Sequence, residues 1–309
     1  MLYDLIIVGG GPAGAAAGVY AARKKLKGLL LTDSFGGQSV ASGEIQNFIG
    51  FKSISGLNLA KALKEHLQVQ AGIKIIEGDL VVEINPSTTL RIKGFKITTR
   101  KGKIFNTKTI LLAGGGRQKK LNVPGEKEFA GRGVFYCAIC DAPLMKNKAV
   151  AVIGGGNAGL EAVRDLLLYA SEIYLLEYTA GLTADPVMIE VIKKSKKIKI
   201  ITLAEVREIF GDEFVRGLKY RDRRDGKIKK LNLQGIFIAV GYQPNSEIAK
   251  DLVKRNKLGY IVVNSQTQKT SCPGIWASGD VTDGLYHQNN IAIGDAIKAV
   301  LNIYQYLLK

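Results

Sequence analysis

Residues 5–14 read Leu-Ile-Ile-Val-Gly-Gly-Gly-Pro-Ala-Gly, an apolar run followed at once by a glycine-rich turn. An alanine-rich stretch continues to Ala22, and a second apolar run over residues 29–32 ends at Asp33. A strand, a Gly-x-Gly-x-x-Gly turn, a helix and then an acidic residue about 20 positions further on form the pattern of a dinucleotide-binding βαβ unit. We therefore predict such a unit at the start of the chain.

The same arrangement returns about 145 residues later. An apolar run over residues 149–153 precedes the second turn, and another over residues 173–176 ends at Glu177. In such units the glycines let the pyrophosphate approach the backbone, the helix N-terminus supplies N–H donors, and the acid accepts a ribose hydroxyl. The second predicted nucleotide site therefore comprises Gly154, Gly156, Asn157, Ala158, Gly159 and Glu177.

Two further regions, residues 73–112 and 198–240, alternate short β-rich runs with turns, which is typical of antiparallel β-structure. We predict a small antiparallel insert in each unit. The predicted fold class is α/β, with two Rossmann-like, three-layer ββα dinucleotide-binding domains. The predicted turns lie near Asn85-Pro86, Lys93-Gly94, Lys101-Gly102, Gly211-Asp212 and Asp225-Gly226.

Composition limits the class of protein. The 309 residues are 46% hydrophobic and 23% charged, which is typical of soluble chains with two domains. No run approaches the ~18 apolar residues of a membrane helix, and no basic stretch opens a signal peptide, so we expect a cytoplasmic protein without a membrane partner. The net charge of +17 suggests acidic partners or a solvated lysine-rich surface. We expect no nucleic-acid partner, because the basic runs 193–197 and 221–230 match no binding motif.

Cys137 and Cys140 form a Cys-x-x-Cys pair just before the second unit. A close pair in a reducing compartment is typically catalytic or metal-binding. A metal site needs two further ligands, and the remaining cysteine and both histidines are isolated, so we expect no metal. A redox-active disulfide is favoured over two unreactive thiols. Asp141 follows directly, either as a proton shuttle for the thiols or as a helix-start acid.

The order of these motifs resembles the low-molecular-weight thioredoxin reductase family over essentially the whole chain. The resemblance implies an FAD-binding domain formed by residues 1–114 and 246–309, interrupted by an NAD(P)H-binding domain at residues 115–245 that carries the cysteine pair and rotates. It also implies thioredoxin-disulfide reductase activity, a thioredoxin-like protein partner and a homodimer. The motifs are Gly9-x-Gly11-Pro12-Ala13-Gly14, Gly36-Gly37-Gln38, residues 44–48, Cys137-x-x-Cys140-Asp141, Gly154-x-Gly156-Asn157, residues 240–245, Gly279-Asp280-Val281 and His287-Gln288.

The resemblance also implies roles for individual residues. Cys140 would face the flavin, Cys137 would attack the disulfide of the protein substrate, and Asp141 would act as acid and base. The implied FAD site comprises Gly9, Gly11, Pro12, Ala13 and Gly14 at the pyrophosphate, Asp33 at the adenosine ribose, and Ser34, Gly37, Gln38, Asn47, Val81, Gly279, Asp280, His287 and Gln288 elsewhere along the cofactor.

One departure from the family concerns the nucleotide. Members that use NADPH place a His-Arg-Arg cluster after the second strand of the inserted domain, whereas here no Lys or Arg occurs from Glu172 to Glu190. A 2′-phosphate would meet the Glu177 carboxylate and no guanidinium, at a cost of ~4 kcal/mol for a separation of ~4 Å and an effective dielectric of ~20. We therefore expect NADH, with NADPH disfavoured.

Three alternatives stay open from the sequence. A thioredoxin reductase fed by reduced ferredoxin, with a degenerate nucleotide site, would suit the basic surface and the missing arginines. A ferredoxin–NAD(P) reductase shares the fold, but such members usually lack the cysteine pair. From a different class, a flavin-free binding module would be colourless when purified.

Overall fold

The computed structural model describes residues 1–42, 44–87 and 94–309. The chain divides into two compact units. The first contains Met1–Val40, Phe48–Arg117 and Gln243–Lys309, and the second contains Ala41–Asn47 and Gln118–Tyr242. Residues 41–47 thus belong to the second unit, although they lie inside the stretch 1–114 that the sequence assigns to the first domain.

Each unit is built around a parallel sheet, and the elements are numbered here along the chain. They are β1 (Leu2–Gly10), α1 (Pro12–Arg23), β2 (Gly28–Phe35), α2 (Gly56–Gln68), β3 (Ile73–Glu77), β4 (Val81–Ser87), β5 (Gly94–Thr99), β6 (Ile104–Leu112), β7 (Gly116–Gln118), β8 (Val134–Phe135), α3 (Ala138–Asp141), β9 (Ala149–Ile153), α4 (Asn157–Leu166), β10 (Glu172–Leu176), α5 (Pro186–Lys193), β11 (Ile198–Ile201), β12 (Ala204–Gly211), β13 (Val215–Asp222), β14 (Ile228–Asn232), β15 (Gly235–Ile238), β16 (Tyr242–Pro244), β17 (Ile275–Ala277) and α6 (Asn289–Leu307).

The sheet of the first unit has the strand order β3-β2-β1-β6-β5-β4, and β17 also pairs with β6. Strands β3, β2, β1, β6 and β17 run parallel, whereas β5 and β4 add on antiparallel. The two halves of β6 have different partners, since residues 104–107 pair with β5 and residues 110–112 pair with β17. This split lets β17 end at the same edge as β1, which is where nucleotides bind in parallel sheets.

Alternate residues of β1 enter two different core layers. Leu5 and Ile7 pack among residues of α1 and α6, whereas Ile6 and Val8 pack among residues of β4, β5 and the segment 249–261. Burial of one such side chain contributes ~1.5–3 kcal/mol, and a strand buried on both faces reads as a continuous apolar run. This is the helix–sheet–β-layer order predicted for the fold class.

The second unit repeats this plan. Its parallel sheet has the order β11-β10-β9-β15-β8, and β12-β13-β14 form a separate antiparallel sheet. Along β9, Val150 and Val152 pack with residues of α4, whereas Ala151 and Ile153 pack with residues of the antiparallel sheet. Two parallel sheets, each with an antiparallel β-layer, confirm the predicted fold class. β7 and β16 form a short two-stranded sheet of their own.

The structure corrects some details of the predicted inserts. Residues 73–77 and 198–201, predicted as the first strands of the antiparallel inserts, instead extend the parallel sheets by pairing with β2 and β10. The turn predicted at Asn85-Pro86 is wrong, because both residues lie within β4. A proline is tolerated there because β4 is an edge strand, where one amide needs no ladder partner. Of the turn predicted at Lys93-Gly94, Lys93 lies outside the described residues.

Within the three described ranges, no helix combines the length and the apolarity needed to cross a membrane.

Candidate redox and nucleotide-binding sites

The first glycine turn joins β1 to α1 so tightly that side chains do not fit. A Cβ at Gly9, whose φ is +118°, would lie 2.2 Å from the Ala113 carbonyl oxygen, and a Cβ at Gly14 would lie 1.9 Å from the Gly9 carbonyl oxygen. Gly11 is the N-cap of α1 and has no side chain to occupy the first-turn N–H groups. Those groups lack partners inside the helix, so they can donate to a phosphate.

Segments far apart in sequence surround this turn. The Gly36 N–H donates to the Gly10 carbonyl oxygen at 2.8 Å. A Cβ at Gly279 would lie 3.4 Å from the Ala13 Cβ, which places the end of β17 against α1. The Ser39 hydroxyl donates to Asn289 Oδ1 at 2.9 Å. The structure therefore brings Gly37 and Gly279 to the first glycine turn, together with the start of α6.

The other residues implied for FAD occupy varied positions. Asp33 and Ser34 are exposed near the end of β2, as is Gln38 two residues after Gly36. Val81 is buried at the start of β4, and Asp280 lies in the short 3-10 helix after β17. Gln288 caps α6, and the His287 ring stacks on Tyr260 with centroids 5.4 Å apart. Asn47 falls in the second unit, which differs from the first-domain position implied for it.

A cleft of about 810 Å³ opens in the second unit beside the second glycine turn. This volume is typical of cofactor sites. A Cβ at Gly154 would lie 2.5 Å from the Ala239 carbonyl oxygen, and one at Gly159 would lie 1.8 Å from the Gly154 carbonyl oxygen, as in the first unit. The cleft is lined by residues 154–158, 176–178, 121–124, 204–207, 239–241, Ile153 and Thr183, so it contains most of the predicted second site.

Glu177 is buried and fixed on the glycine turn. Its Oε2 accepts from the Gly155 N–H at 2.6 Å, and its Oε1 accepts from the N–H and the hydroxyl of Thr179, both at 2.7 Å. An ionised carboxylate offers about four acceptor positions. One position on Oε2 therefore stays available for a ribose hydroxyl, which fits the role predicted for Glu177.

The fold supplies guanidinium groups that the local sequence lacks. Arg207, on β12, lines the same cleft as Glu177. Arg223, just after β13, lies 4.2 Å from the Tyr178 ring centroid and donates to the Tyr178 carbonyl oxygen at 3.0 Å. Arg207 thus lies on the cleft, and Arg223 contacts a residue of its wall. The preference for NADH over NADPH, which was based on the segment Glu172–Glu190, stays a prediction.

Cys137 and Cys140 form a disulfide with Cα atoms 5.3 Å apart. Cys137 is the N-cap of α3, and both cysteines are partly exposed while Ile139 between them is largely exposed. A pair that is bonded and accessible at a helix start can exchange with an external disulfide, because the helix N-terminus stabilises a thiolate. The structure thus describes the pair in its disulfide form.

Asp141 is the last residue of α3 and is only 4% exposed. Across the part of the chain that the structure describes, no hydrogen-bond partner reaches its Oδ1. Burial raises the pKa of Asp141 to about 7, because an apolar surrounding disfavours the charged carboxylate. A group with this pKa can both hold and release a proton at neutral pH.

Among the described residues, no group of three or more His, Cys, Asp or Glu side chains could hold a metal ion.

With this geometry in place, comparison with known proteins identifies the family. The family model for pyridine nucleotide-disulphide oxidoreductases matches residues 3–296. The chain belongs to this family. Membership implies FAD and a pyridine nucleotide as cofactors. The two glycine turns fit one dinucleotide each, because Gly9, Gly14, Gly154 and Gly159 leave no room for a Cβ.

Similar proteins have several names. The chain is 38% identical to the NADH dehydrogenase of Bacillus subtilis (strain 168), over 99% of this chain and 59% of that protein. It is 38% identical to the alkyl hydroperoxide reductase F subunit of Escherichia coli (strain K12), over 99% of this chain and 58% of that protein. The chain thus spans less than two thirds of the length of these curated relatives. The thioredoxin reductase of Streptococcus pyogenes MGAS5005 superposes with a TM-score of 0.92 at 30% identity, covering 99% of this chain and 98% of that one.

These matches confirm the resemblance to thioredoxin reductases. Sequence reasoning nevertheless missed part of the second cleft, notably the wall at residues 121–124, the Tyr178 ring and the strand that carries Arg207. None of these belongs to a motif with a fixed spacing from the glycine turn. The basic run 221–230, which contains Arg223, was the one visible signal.

Proposed function

We propose that the protein reduces a thioredoxin-like protein disulfide, with NADH as donor, FAD as relay, and Cys137–Cys140 as the exchanging disulfide. The observation that carries this proposal is the accessible disulfide beside the buried Asp141, in the same unit as a nucleotide-sized cleft. FAD, when bound at the first glycine turn, supplies the two-electron relay between nucleotide and disulfide. The first unit would be the FAD-binding domain and the second the nucleotide-binding domain.

The chain's own residues divide the exchange chemistry among them. After reduction, the Cys137 thiolate attacks the partner's disulfide and forms a mixed disulfide, and Cys140 then attacks Cys137 and releases the reduced partner. A thiolate leaves in this exchange and takes up a proton. Asp141, whose pKa burial raises to about 7, can supply that proton near neutral pH.

NADH is proposed as donor because Glu177 is held against the glycine turn itself. The nearby guanidiniums have other partners. Arg223 stacks on Tyr178 and donates to its carbonyl oxygen, and Arg207 lies 3.4 Å from the Glu205 carboxylate. A carboxylate next to the ribose favours a hydroxyl over a phosphate there. The name of the Bacillus subtilis relative, NADH dehydrogenase, supports the same choice.

A homodimer stays an expectation drawn from the family resemblance. A cytoplasmic location stays an expectation drawn from the absence of a membrane-length apolar run and of a basic signal-peptide start in the sequence. A second candidate substrate comes from the relatives named as the F subunit of alkyl hydroperoxide reductase. The disulfide partner would then be one linked to hydroperoxide reduction instead of a thioredoxin. Parallel assays of disulfide reduction with both kinds of partner protein distinguish the two.

The decisive experiment is stopped-flow flavin reduction of the purified protein, with NADH and NADPH side by side. We expect rapid bleaching with NADH and slower bleaching with NADPH. No bleaching with either nucleotide would reject the donor and favour a ferredoxin-fed enzyme, and a colourless protein that takes up no FAD would reject the flavoenzyme altogether.

The disulfide is tested in the same protein. Cys140→Ser should keep bound FAD but lose turnover with a partner disulfide, while Cys272→Ser, at a partly buried free thiol, should keep both. Turnover retained by Cys140→Ser would reject the assignment of the pair.

A further inference from the structure

A buried acid, Glu126, lies in the segment between β7 and β8, and only 3% of the residue is exposed. Its carboxylate accepts three hydrogen bonds from two different parts of the second unit. A buried carboxylate is costly unless its oxygens are bonded, so three donors on one group fix its position and theirs.

Two of the donors belong to the wall of the nucleotide cleft. The Leu121 N–H donates to Glu126 Oε1 at 3.1 Å, and the Asn122 N–H donates to Oε2 at 2.6 Å. Both residues line the cleft. Asn122 has a φ of +57°, in the left-handed region that non-glycine residues rarely occupy. The carboxylate therefore holds this wall in a conformation that its own backbone would not favour.

The third donor is next to the disulfide. The Tyr136 hydroxyl donates to Glu126 Oε1 at 2.9 Å, and Tyr136 directly precedes Cys137. The Tyr136 carbonyl oxygen also accepts from Gln118 Nε2 at 3.3 Å, so both ends of this residue are held. Burial and the bond to Glu126 raise the pKa of Tyr136, which keeps the hydroxyl a donor throughout the working range of pH.

We propose that Glu126 and Tyr136 are positioning residues that hold the nucleotide-cleft wall and the Cys137 side of the disulfide in one hydrogen-bonded unit. Loss of the Tyr136 hydroxyl should then weaken nucleotide binding and shift the dithiol–disulfide equilibrium together. This proposal rests on the proposed function, in that the cleft is taken to bind a pyridine nucleotide. The direction of the shift follows from preorganisation, because a looser Cys137 segment favours the unconstrained dithiol over the closed disulfide.

The test is Tyr136→Phe in the full-length holoprotein. Tyr174→Phe is the matched control, because the Tyr174 hydroxyl donates to Glu172 at 2.7 Å on β10, and neither residue lines the cleft. Calorimetry measures the Kd of NAD⁺ for the oxidised protein. Dithiothreitol redox buffers followed by alkylation and mass spectrometry measure the Cys137–Cys140 equilibrium.

We expect Tyr136→Phe to weaken NAD⁺ binding about fivefold, the size of one hydrogen bond. The disulfide equilibrium should move about fivefold towards the dithiol, or about 20 mV for a two-electron couple. The control should change neither quantity by more than about twofold, since it removes a similar bond elsewhere. A Tyr136→Phe protein that is less stable but normal in both readouts would show a merely structural role and overturn the proposal.

Glu126→Gln separates the effect on the cleft wall from the effect on the disulfide. Its amide oxygen can still accept from Leu121 and Tyr136, but its amide nitrogen cannot accept from the Asn122 N–H. NAD⁺ binding should therefore weaken while the disulfide equilibrium stays near wild type, and the reverse pattern would overturn the proposal. If the wild-type protein binds no NAD⁺, this proposal fails with the donor assignment. If NAD⁺ binds the wild-type protein and its affinity is unchanged by Tyr136→Phe and by Glu126→Gln, this proposal alone is overturned.

Discussion

Replacing Asp141 with Asn should change how the stability of the second unit depends on pH. Asp141 is only 4% exposed, and burial raises the pKa of its carboxyl group to about 7 from a reference value of 3.8. In the unfolded chain the group loses its proton near the reference value, whereas in the folded protein it keeps the proton up to about pH 7. The folded state therefore binds more protons between these values, and its stability falls as the pH rises through this window.

The magnitude follows from the difference between the two pKa values. At 1.36 kcal/mol for each unit, Asp141 should destabilise the folded protein by about 4 kcal/mol at pH 8, about 2 kcal/mol at pH 5.5 and about 1 kcal/mol at pH 4.5. Asn has nearly the same shape and carries no charge at any of these values. The variant should gain about 3 kcal/mol relative to wild type between pH 4.5 and pH 8, on top of any constant offset from the new amide.

Native-state hydrogen exchange measures this effect in the right unit. Amides of β9, in the sheet of the second unit, report its opening, and those of β1 report the first unit as an internal control. The chain's single tryptophan, Trp276, belongs to the first unit, so its fluorescence serves as a second control. If the difference in β9 protection between Asp141→Asn and wild type is the same at pH 4.5 and pH 8, the raised pKa of Asp141 is refuted.

Three further substitutions test the glycine turn, a control glycine in α6 and a cluster of ion pairs around Asp222. Gly14→Ala should yield protein that cannot retain FAD, because the new Cβ would lie 1.9 Å from the Gly9 carbonyl oxygen. As the control, Gly294→Ala in α6 adds a Cβ that meets nothing within 4 Å, and it should stabilise the helix by up to about 1 kcal/mol. The absorbance ratio of flavin to protein measures how much FAD each variant retains, and a yellow Gly14→Ala protein would contradict the predicted FAD site. Asp222→Asn should lower the denaturation midpoint at pH 7, because bonds to Arg224 and Lys229 hold the pKa of Asp222 well below its usual range. That stabilisation is present above the ordinary carboxyl pKa and lost only when the pH falls through the lowered value, so a penalty that disappears at pH 6 would contradict it.

Local sequence was enough for the elements whose geometry depends on neighbouring residues. The turn at Gly9–Gly14 follows a short apolar run and opens a helix, and the second copy at Gly154–Gly159 does the same. The Cys137–Cys140 pair needed only its spacing. The turn predicted at Asn85-Pro86 failed because proline has two uses, in turns and at sheet edges, and the choice depends on which strand lies at the edge.

By itself the sequence determined the two nucleotide-type turns, the close spacing of Cys137 and Cys140, and the α/β class. Backbone conformation at glycines and the reach of a short loop are set by contiguous residues. The tertiary structure alone decided that Arg223 stacks on Tyr178, that Glu126 bonds Tyr136, and that Asp141 is buried with a raised pKa. These facts depend on strand pairing and on the exclusion of water by residues distant in the chain. No local motif predicts the strand pairing or the exclusion of water, since the packing of the whole unit sets both.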